Sequence, residues 1–230
     1  MTTDELCQRL KTVHDRIHRA AQAAGRAESS VRLIAVSKKQ PVSKIQGAVD
    51  CGQQDFGENY VQELLDKQDA LPGRDICWHF IGPLQSNKTR PLAERVDWVH
   101  TIDRLKIAQR LNDQRPAQWP PLNVCIQVNV SDEASKSGIG LAELTDLAGL
   151  VSALPRLQLR GLMAIPAATP DPQAQRAAFA ALHQAYTGLR AEGYALDTLS
   201  MGMSADLDAA IAEGATMVRI GTAIFGARPT

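Results

Sequence analysis

Leu33-Ile-Ala-Val-Ser-Lys-Lys-Gln-Pro-Val-Ser-Lys-Ile-Gln-Gly-Ala-Val-Asp-Cys-Gly-Gln-Gln-Asp-Phe-Gly57 reads as a strand, a helix and the start of a second strand. Leu33-Ile-Ala-Val-Ser37 is a near-continuous apolar run, as expected of a parallel strand covered by helices. Pro41 stands where a helix can start, Ser43 to Cys51 keeps helical spacing, and Gly52 stops it. Gln54-Asp-Phe-Gly57 then opens the next strand. The same rhythm continues outward. Short apolar runs recur at Cys77-Trp-His-Phe-Ile81, Trp98-Val-His-Thr-Ile102 and Asn123-Val-Cys-Ile-Gln-Val-Asn129. Three more follow at Leu159-Arg-Gly-Leu-Met-Ala164, Thr198-Leu-Ser-Met201 and Met217-Val-Arg-Ile220, eight in all. Helical patterns fill most gaps: Val61 to Ala70, Leu105 to Asn112, Leu141 to Leu154, Gln173 to Glu192 and Ala205 to Glu213. Ahead of the first strand, Leu6, Leu10, Val13, Ile17 and Ala21 form one helical stripe, with Thr3 as expected N-cap and Gly25 as stop. Eight β-then-α units in 230 residues predict a single (β/α)8 TIM barrel with an extra N-terminal helix, one domain over 1–230. An open doubly wound sheet is the alternative, but it would usually leave a polar edge, and no run here reads as one.

Lysine plus arginine and aspartate plus glutamate both number 25, so the formal net charge is zero, which excludes a generic nucleic-acid binder. Hydrophobic residues make up 44% and charged residues 22%, enough for a sizeable core. No apolar run approaches a membrane span, and Met1-Thr-Thr-Asp-Glu-Leu6 lacks the features of a signal peptide. Cys7, Cys51, Cys77 and Cys125 are widely spaced, neither a zinc motif nor a disulfide framework. The expectation is reduced thiols in a cytoplasmic protein.

A barrel of this kind carries its site at the carboxyl ends of its strands. Lys38 and Lys39, then Glu58, Asn59 and Tyr60, follow the first two strands. His79 lies in the third strand, Asn129 ends the fifth, and Met163 is late in the sixth. Ser200-Met-Gly-Met-Ser204 joins the seventh strand to a helix expected near Ala205, with Ser204 as a possible cap. Gly202 lets backbone approach a ligand, and helix-start amides favour an anion. Arg219, Gly221 and Thr222 add donors from the neighbouring strand end. The plain alternative is an ordinary capped helix followed by a glycine turn. Lys38, at the mouth of a buried strand, suits a Schiff base with a carbonyl, whereas a rim lysine extended to water is the commoner fate. An aldehyde and a phosphate on one ligand together describe pyridoxal 5′-phosphate.

The motifs Ala35-Val-Ser-Lys-Lys39, Phe56-Gly-Glu-Asn-Tyr-Val-Gln-Glu63 and Trp78-His-Phe-Ile-Gly-Pro-Leu-Gln-Ser-Asn-Lys88 resemble those of the pyridoxal phosphate homeostasis protein family. So do Ser135-Lys-Ser-Gly-Ile139, Gly161-Leu-Met163, Leu199-Ser-Met-Gly-Met-Ser204 and Val218-Arg-Ile-Gly-Thr-Ala-Ile-Phe-Gly226. The resemblance implies a barrel like the amino-terminal domain of alanine racemase, covalent cofactor binding and a role in vitamin B6 homeostasis without robust catalysis. A pyridoxal phosphate-dependent racemase of narrow range is the alternative. Carried onto this chain, it makes Lys38 the aldimine lysine, with Ser200, Met201, Gly202, Gly221 and Thr222 holding phosphate. Arg219 would face the pyridine nitrogen, with Asn59, His79 and Met163 at the cofactor. Lys39 stands beside Lys38, and strand alternation admits one of them to the mouth. A guanidinium beside the ring nitrogen opposes its protonation and leaves a weak electron sink. Since Thr230 follows closely on the last strand unit, the β-rich domain of the racemases is expected to be absent, which favours a monomeric carrier delivering cofactor to apo-enzymes.

The remaining residues have bland readings. His14 and His18 suit a solvated helix face, since no third ligand accompanies them. Lys136 reads as a surface lysine with a secondary role in cofactor transfer as its alternative, and Cys51 and Cys77 read as small hydrophobes.

Overall fold

The computed structural model describes residues 1–131 and 137–227, so Lys136 lies outside the described residues. The first helix, α1 (Thr3–Ala23), begins one residue earlier than its pattern suggests. Thr2, not Thr3, is the N-cap: its hydroxyl accepts from Glu5 N, and the Glu5 carboxylate accepts from Thr2 N. The apolar stripe from Leu6 to Ala21 is buried as expected.

Eight strands follow in chain order: β1 (Arg32–Val36), β2 (Asp55–Glu58), β3 (Cys77–Phe80), β4 (Trp98–Ile102), β5 (Leu122–Gln127), β6 (Leu157–Met163), β7 (Thr198–Ser200) and β8 (Met217–Ile220). They close into a barrel of sequential neighbours, with β8 returning to β1 in parallel, Leu33 opposite Val218 and Ile34 opposite Arg219. Closure removes both sheet edges, which accounts for the missing polar edge strand. The covering helices are α2 (Val42–Asp50), α3 (Val61–Ala70), α4 (Thr89–Arg95), α5 (Leu105–Gln114), α6 (Leu144–Ser152), α7 (Pro172–Ala191), α8 (Leu207–Ala212) and α9 (Thr222–Phe225). The expected (β/α)8 barrel with its extra helix is therefore present. Among the described residues no helix is long and apolar enough to cross a membrane.

Two helices were not expected. α4 contains Pro91 at its third position and α9 has one turn, so neither shows a periodic stripe. The segment starting at Leu141 opens as a 3-10 turn and becomes helical only at Leu144. α8 starts at Leu207 with Asp206 at its N-cap, so Ser204 is not the cap.

The cysteine reading requires correction. Cys7 on α1 and Cys51 at the end of α2 form a disulfide, with Cα atoms 5.4 Å apart. The two helices pack side by side outside the barrel, which brings together residues 44 apart in sequence. Cys77 and Cys125 are free thiols.

The core has two layers. Leu64, Leu92, Ile107 and Phe179 pack between strands and helices, while Ile34, Trp98, Cys125, Met163 and Met217 fill the barrel interior. Among these interior apolar groups sits a column of polar side chains that leads to the site.

Candidate functional site

A cavity of about 300 Å³ opens at the carboxyl ends of the strands. Lys38 lines it, half-buried, while Lys39 turns outward to solvent. The choice is made by a turn and not by strand alternation, because β1 ends at Val36. Lys39 takes φ of 58°, its amide donates to a Glu63 carboxylate oxygen, and Gln40 N donates to Ser37 O.

Beneath that turn lies a buried ionic cluster that the sequence analysis did not identify. Lys67 Nζ donates to Ser37 O at 2.7 Å, to Glu58 Oε1 at 2.6 Å and to Glu63 Oε1 at 2.6 Å. Ser37 Oγ donates to the same Glu58 oxygen at 2.6 Å. An ammonium has three donors, and three acceptors surround this one, so Lys67 is buried without an unmet proton. Burial raises the Glu58 carboxyl above its ordinary value, against the opposing pull of Lys67 and Ser37. The available signal was the Glu63–Lys67 spacing of four on a predicted helix.

Arg219, in β8, reaches the cavity from below. Its Nη1 donates to Ser200 Oγ at 2.7 Å and its Nη2 to Ala164 O at 2.9 Å. Burial lowers its pKa to about 10, which leaves it cationic at neutral pH. The column continues from Ser200 Oγ to His100 Nδ1 (2.8 Å), from His100 Nε2 to His79 Nδ1 (2.9 Å), and from His79 Nε2 to Asp55 Oδ1 (2.9 Å). A guanidinium only donates and a carboxylate only accepts, so the ends set every proton: Arg219 donates to Ser200, Ser200 to His100, His100 to His79, and His79 to Asp55. Desolvation keeps both rings neutral, lowering His79 and pushing His100 well down. His79 and Ser200, expected at the cofactor, are fully buried parts of this column and do not line the cavity. His100 was missed; a histidine inside the apolar run of β4 was its trace.

The opposite wall comes from the loops after β7 and β8. Gly202 takes φ of 94°, and a Cβ there would lie 2.5 Å from Ala210 Cβ, so only glycine lets the loop fold onto α8. Gly202 O also accepts from Arg219 N at 3.0 Å, tying this loop to β8. Ser204, freed from capping, lines the cavity with Thr222 and Gly221. A Cβ on Gly221 would stand 3.0 Å from Val36 O. Asn59 completes the wall, and its buried Oδ1 has no hydrogen-bond partner among the described residues.

The structure thus brings Lys38, Asn59, Arg219, Gly221 and Thr222 onto one cavity, with Gly202 shaping a loop beside it. It does not bring Met163 and Met201 there: both are buried packing residues, Met163 inside the barrel and Met201 under the helices. An amine, a guanidinium, hydroxyls and an unpartnered amide oxygen on one cavity suit a small ligand that carries both a carbonyl and an anionic group.

The chain matches the family described as alanine racemase, N-terminal domain, over residues 10–229. It is similar to the pyridoxal phosphate homeostasis protein of Pseudomonas aeruginosa, with 59% identity over 223 residues covering 97% of this chain and 96% of that one. The pyridoxal phosphate homeostasis protein of Escherichia coli is 57% identical over 228 residues, 98% of this chain and 97% of that one. Among solved structures, PipY of Synechococcus elongatus with PLP bound superposes with a TM-score of 0.84 at 35% identity, covering 96% of this chain and all of that one.

Proposed function

Because the chain belongs to the alanine racemase N-terminal domain family and, within it, to the pyridoxal phosphate homeostasis proteins, we propose that it binds pyridoxal 5′-phosphate in the barrel-mouth cavity and serves the cytoplasmic balance of that cofactor. The observation that carries this reading is the placement of Lys38 and Arg219 on one cavity together with Asn59 and Thr222. Lys38 is the amine that would hold the cofactor's aldehyde carbon covalently. Ser204, Gly221 and Thr222 would hold the phosphate, with hydroxyls and the first amides of α9 as donors. Asn59 would accept from a polar group of the ligand through its unpartnered amide oxygen, which fits a ligand better than an empty wall.

When bound, the cofactor supplies an electron sink for carbanions at an amino-acid α-carbon. Arg219, where it faced the pyridine nitrogen, would weaken that sink, because a fixed cation there opposes protonation. Ser200 Oγ and Ala164 O hold the guanidinium in place on the cavity wall. Lys38 can move a proton on its own side of the cavity. Tyr60, the tyrosine nearest in sequence to the site, is exposed and does not line it. These features favour a cofactor carrier over an efficient racemase, and the form we propose for it is a monomeric, single-domain protein that passes cofactor to apo-enzymes.

The match to the racemase domain keeps one rival: an amino-acid racemase of narrow range with Lys38 as base. The two readings separate in deuterium oxide. The carrier reading expects α-hydrogen exchange in common amino acids no faster than with free cofactor, and full reactivation of an apo-enzyme mixed with the loaded protein. Exchange well above the free-cofactor rate for any one amino acid would establish the racemase instead.

A further inference from the structure

At the amino-terminal end of the barrel, away from the strand ends that form the cavity, Asp55, Cys77 and His79 bring one donor atom each close together. These atoms all lie within 4.8 Å of one another, with Cys77 Sγ 3.3 Å and Asp55 Oδ1 2.9 Å from His79 Nε2. We propose that Asp55, Cys77 and His79 form a binding site for a divalent cation of the zinc class, with water as fourth ligand.

The shape of the cluster distinguishes this reading from a nucleophilic triad. In a triad, thiol and carboxylate engage different nitrogens of the imidazole. Here both meet Nε2, which is the arrangement of ligands around a shared centre. Usual zinc bond lengths and a tetrahedral angle place neighbouring donor atoms roughly 3.3–3.6 Å apart, so the two spacings to His79 Nε2 need to open by only a few tenths of an ångström to admit the ion. Thiolate, imidazole and carboxylate are the donor types that zinc takes, and three protein ligands with one open position are a known stoichiometry.

The surroundings supply what such a site needs. His79 Nδ1 faces His100 Nε2 at 2.9 Å, and a ligating histidine is oriented by such a partner on its other nitrogen. Cys77 is partly buried and Asp55 partly exposed, which leaves a route for the ion and its water. Arg32, on the solvent side 3.4 Å from Asp55, is the cation that the metal would displace. On binding, the thiol proton leaves to water, and His79 and His100 each exchange one neutral tautomer for the other, so that His79 Nδ1 donates to His100 Nε2 and His100 Nδ1 to Ser200 Oγ. The Ser200 hydroxyl keeps its proton and turns it away from His100, from which it then accepts, as it does from Arg219. None of the three ligands lines the cofactor cavity, so metal binding and cofactor binding are read by separate measurements.

Cobalt(II) reports the site directly. The purified protein, without reductant so that Cys7 and Cys51 remain paired, is titrated with Co2+ and read as a difference spectrum. The expected result is one Co2+ per chain, with tetrahedral visible bands, a sulfur-to-cobalt charge-transfer band, and loss of both on adding Zn2+. Cys77→Ser should abolish the charge-transfer band and weaken binding at least about tenfold. Asp55→Asn, which leaves the thiol in place, should keep the band while weakening binding, and thermal melts establish that both variants are folded. A titration with no sulfur band, or one whose band persists in Cys77→Ser, overturns the proposal.

Discussion

At Lys67 three acceptors converge on one ammonium that is almost wholly out of water, and the energetic consequence falls on its partner. Lys67→Ala would strand the Glu58 carboxylate in the interior, and breaking a buried pair costs about 3–5 kcal/mol. Urea unfolding is expected to show a loss of that size, and Glu58→Gln in the same chain should recover part of it. Cofactor retention should fall as well, since the turn bearing Lys38 rests on Ser37 and Glu63. The Arg160–Asp197 pair is a milder case. Burial alone would raise the Asp197 carboxyl, but hydrogen bonds from Arg160 and Thr198 outweigh it and the net shift is downward. A depressed carboxylate contributes stability above its unfolded value, about 3.9, and loses it as pH falls through the folded value. Asp197→Asn is therefore expected to be less stable than the parent at pH 7, by a small margin because the pair is half-exposed, and equal to it in strong acid. Unfolding midpoints at the two pH values check this.

Among the elements, the loop from β7 to α8 joins fold to function through Gly202. Alanine there would take a left-handed φ and a 2.5 Å clash with Ala210, a cost of order 1–3 kcal/mol from backbone strain alone. Gly202→Ala should lower thermal stability and weaken phosphate binding together, because the same loop carries Ser204 into the cavity; a melt and a phosphate titration measure the two. At the other end of the chain, Thr2→Ala removes the hydroxyl arm of the capping box and should cost about 1 kcal/mol in chemical denaturation. These elements also mark how far the sequence could be read. Strands such as β4 and β8 were visible to the residue because a strand buried on both faces reads as a short, mostly apolar run, broken here only by His100 and Thr101 in one and Arg219 in the other. α9 was invisible because a single turn has no period. The rim residues Lys38, Asn59, Gly221 and Thr222 were legible because strand ends are where such barrels open. That His79 and Ser200 lie buried below the cavity was not legible, because sequence locates a residue along a strand but not its depth in a barrel whose register staggers from strand to strand.

Across the whole molecule, α1 packs against α2, α8 and α9, over the seam where β8 closes on β1. The Cys7–Cys51 disulfide fastens that cover. Closing a loop of this length is worth up to about 4 kcal/mol in the chain-entropy account, so a folded sample treated with reductant should unfold at lower denaturant, whereas Cys7→Ser/Cys51→Ser should ignore the reductant. The barrel so closed places an amine and a guanidinium over one cavity, and the account depends above all on what that amine holds. Borohydride reduction of the purified protein followed by peptide mapping tests it most directly. The account predicts one reduced pyridoxyl adduct, on Lys38, present in Lys39→Ala and absent from Lys38→Ala. An adduct on Lys39 or Lys136, or full covalent occupancy in Lys38→Ala, would contradict it.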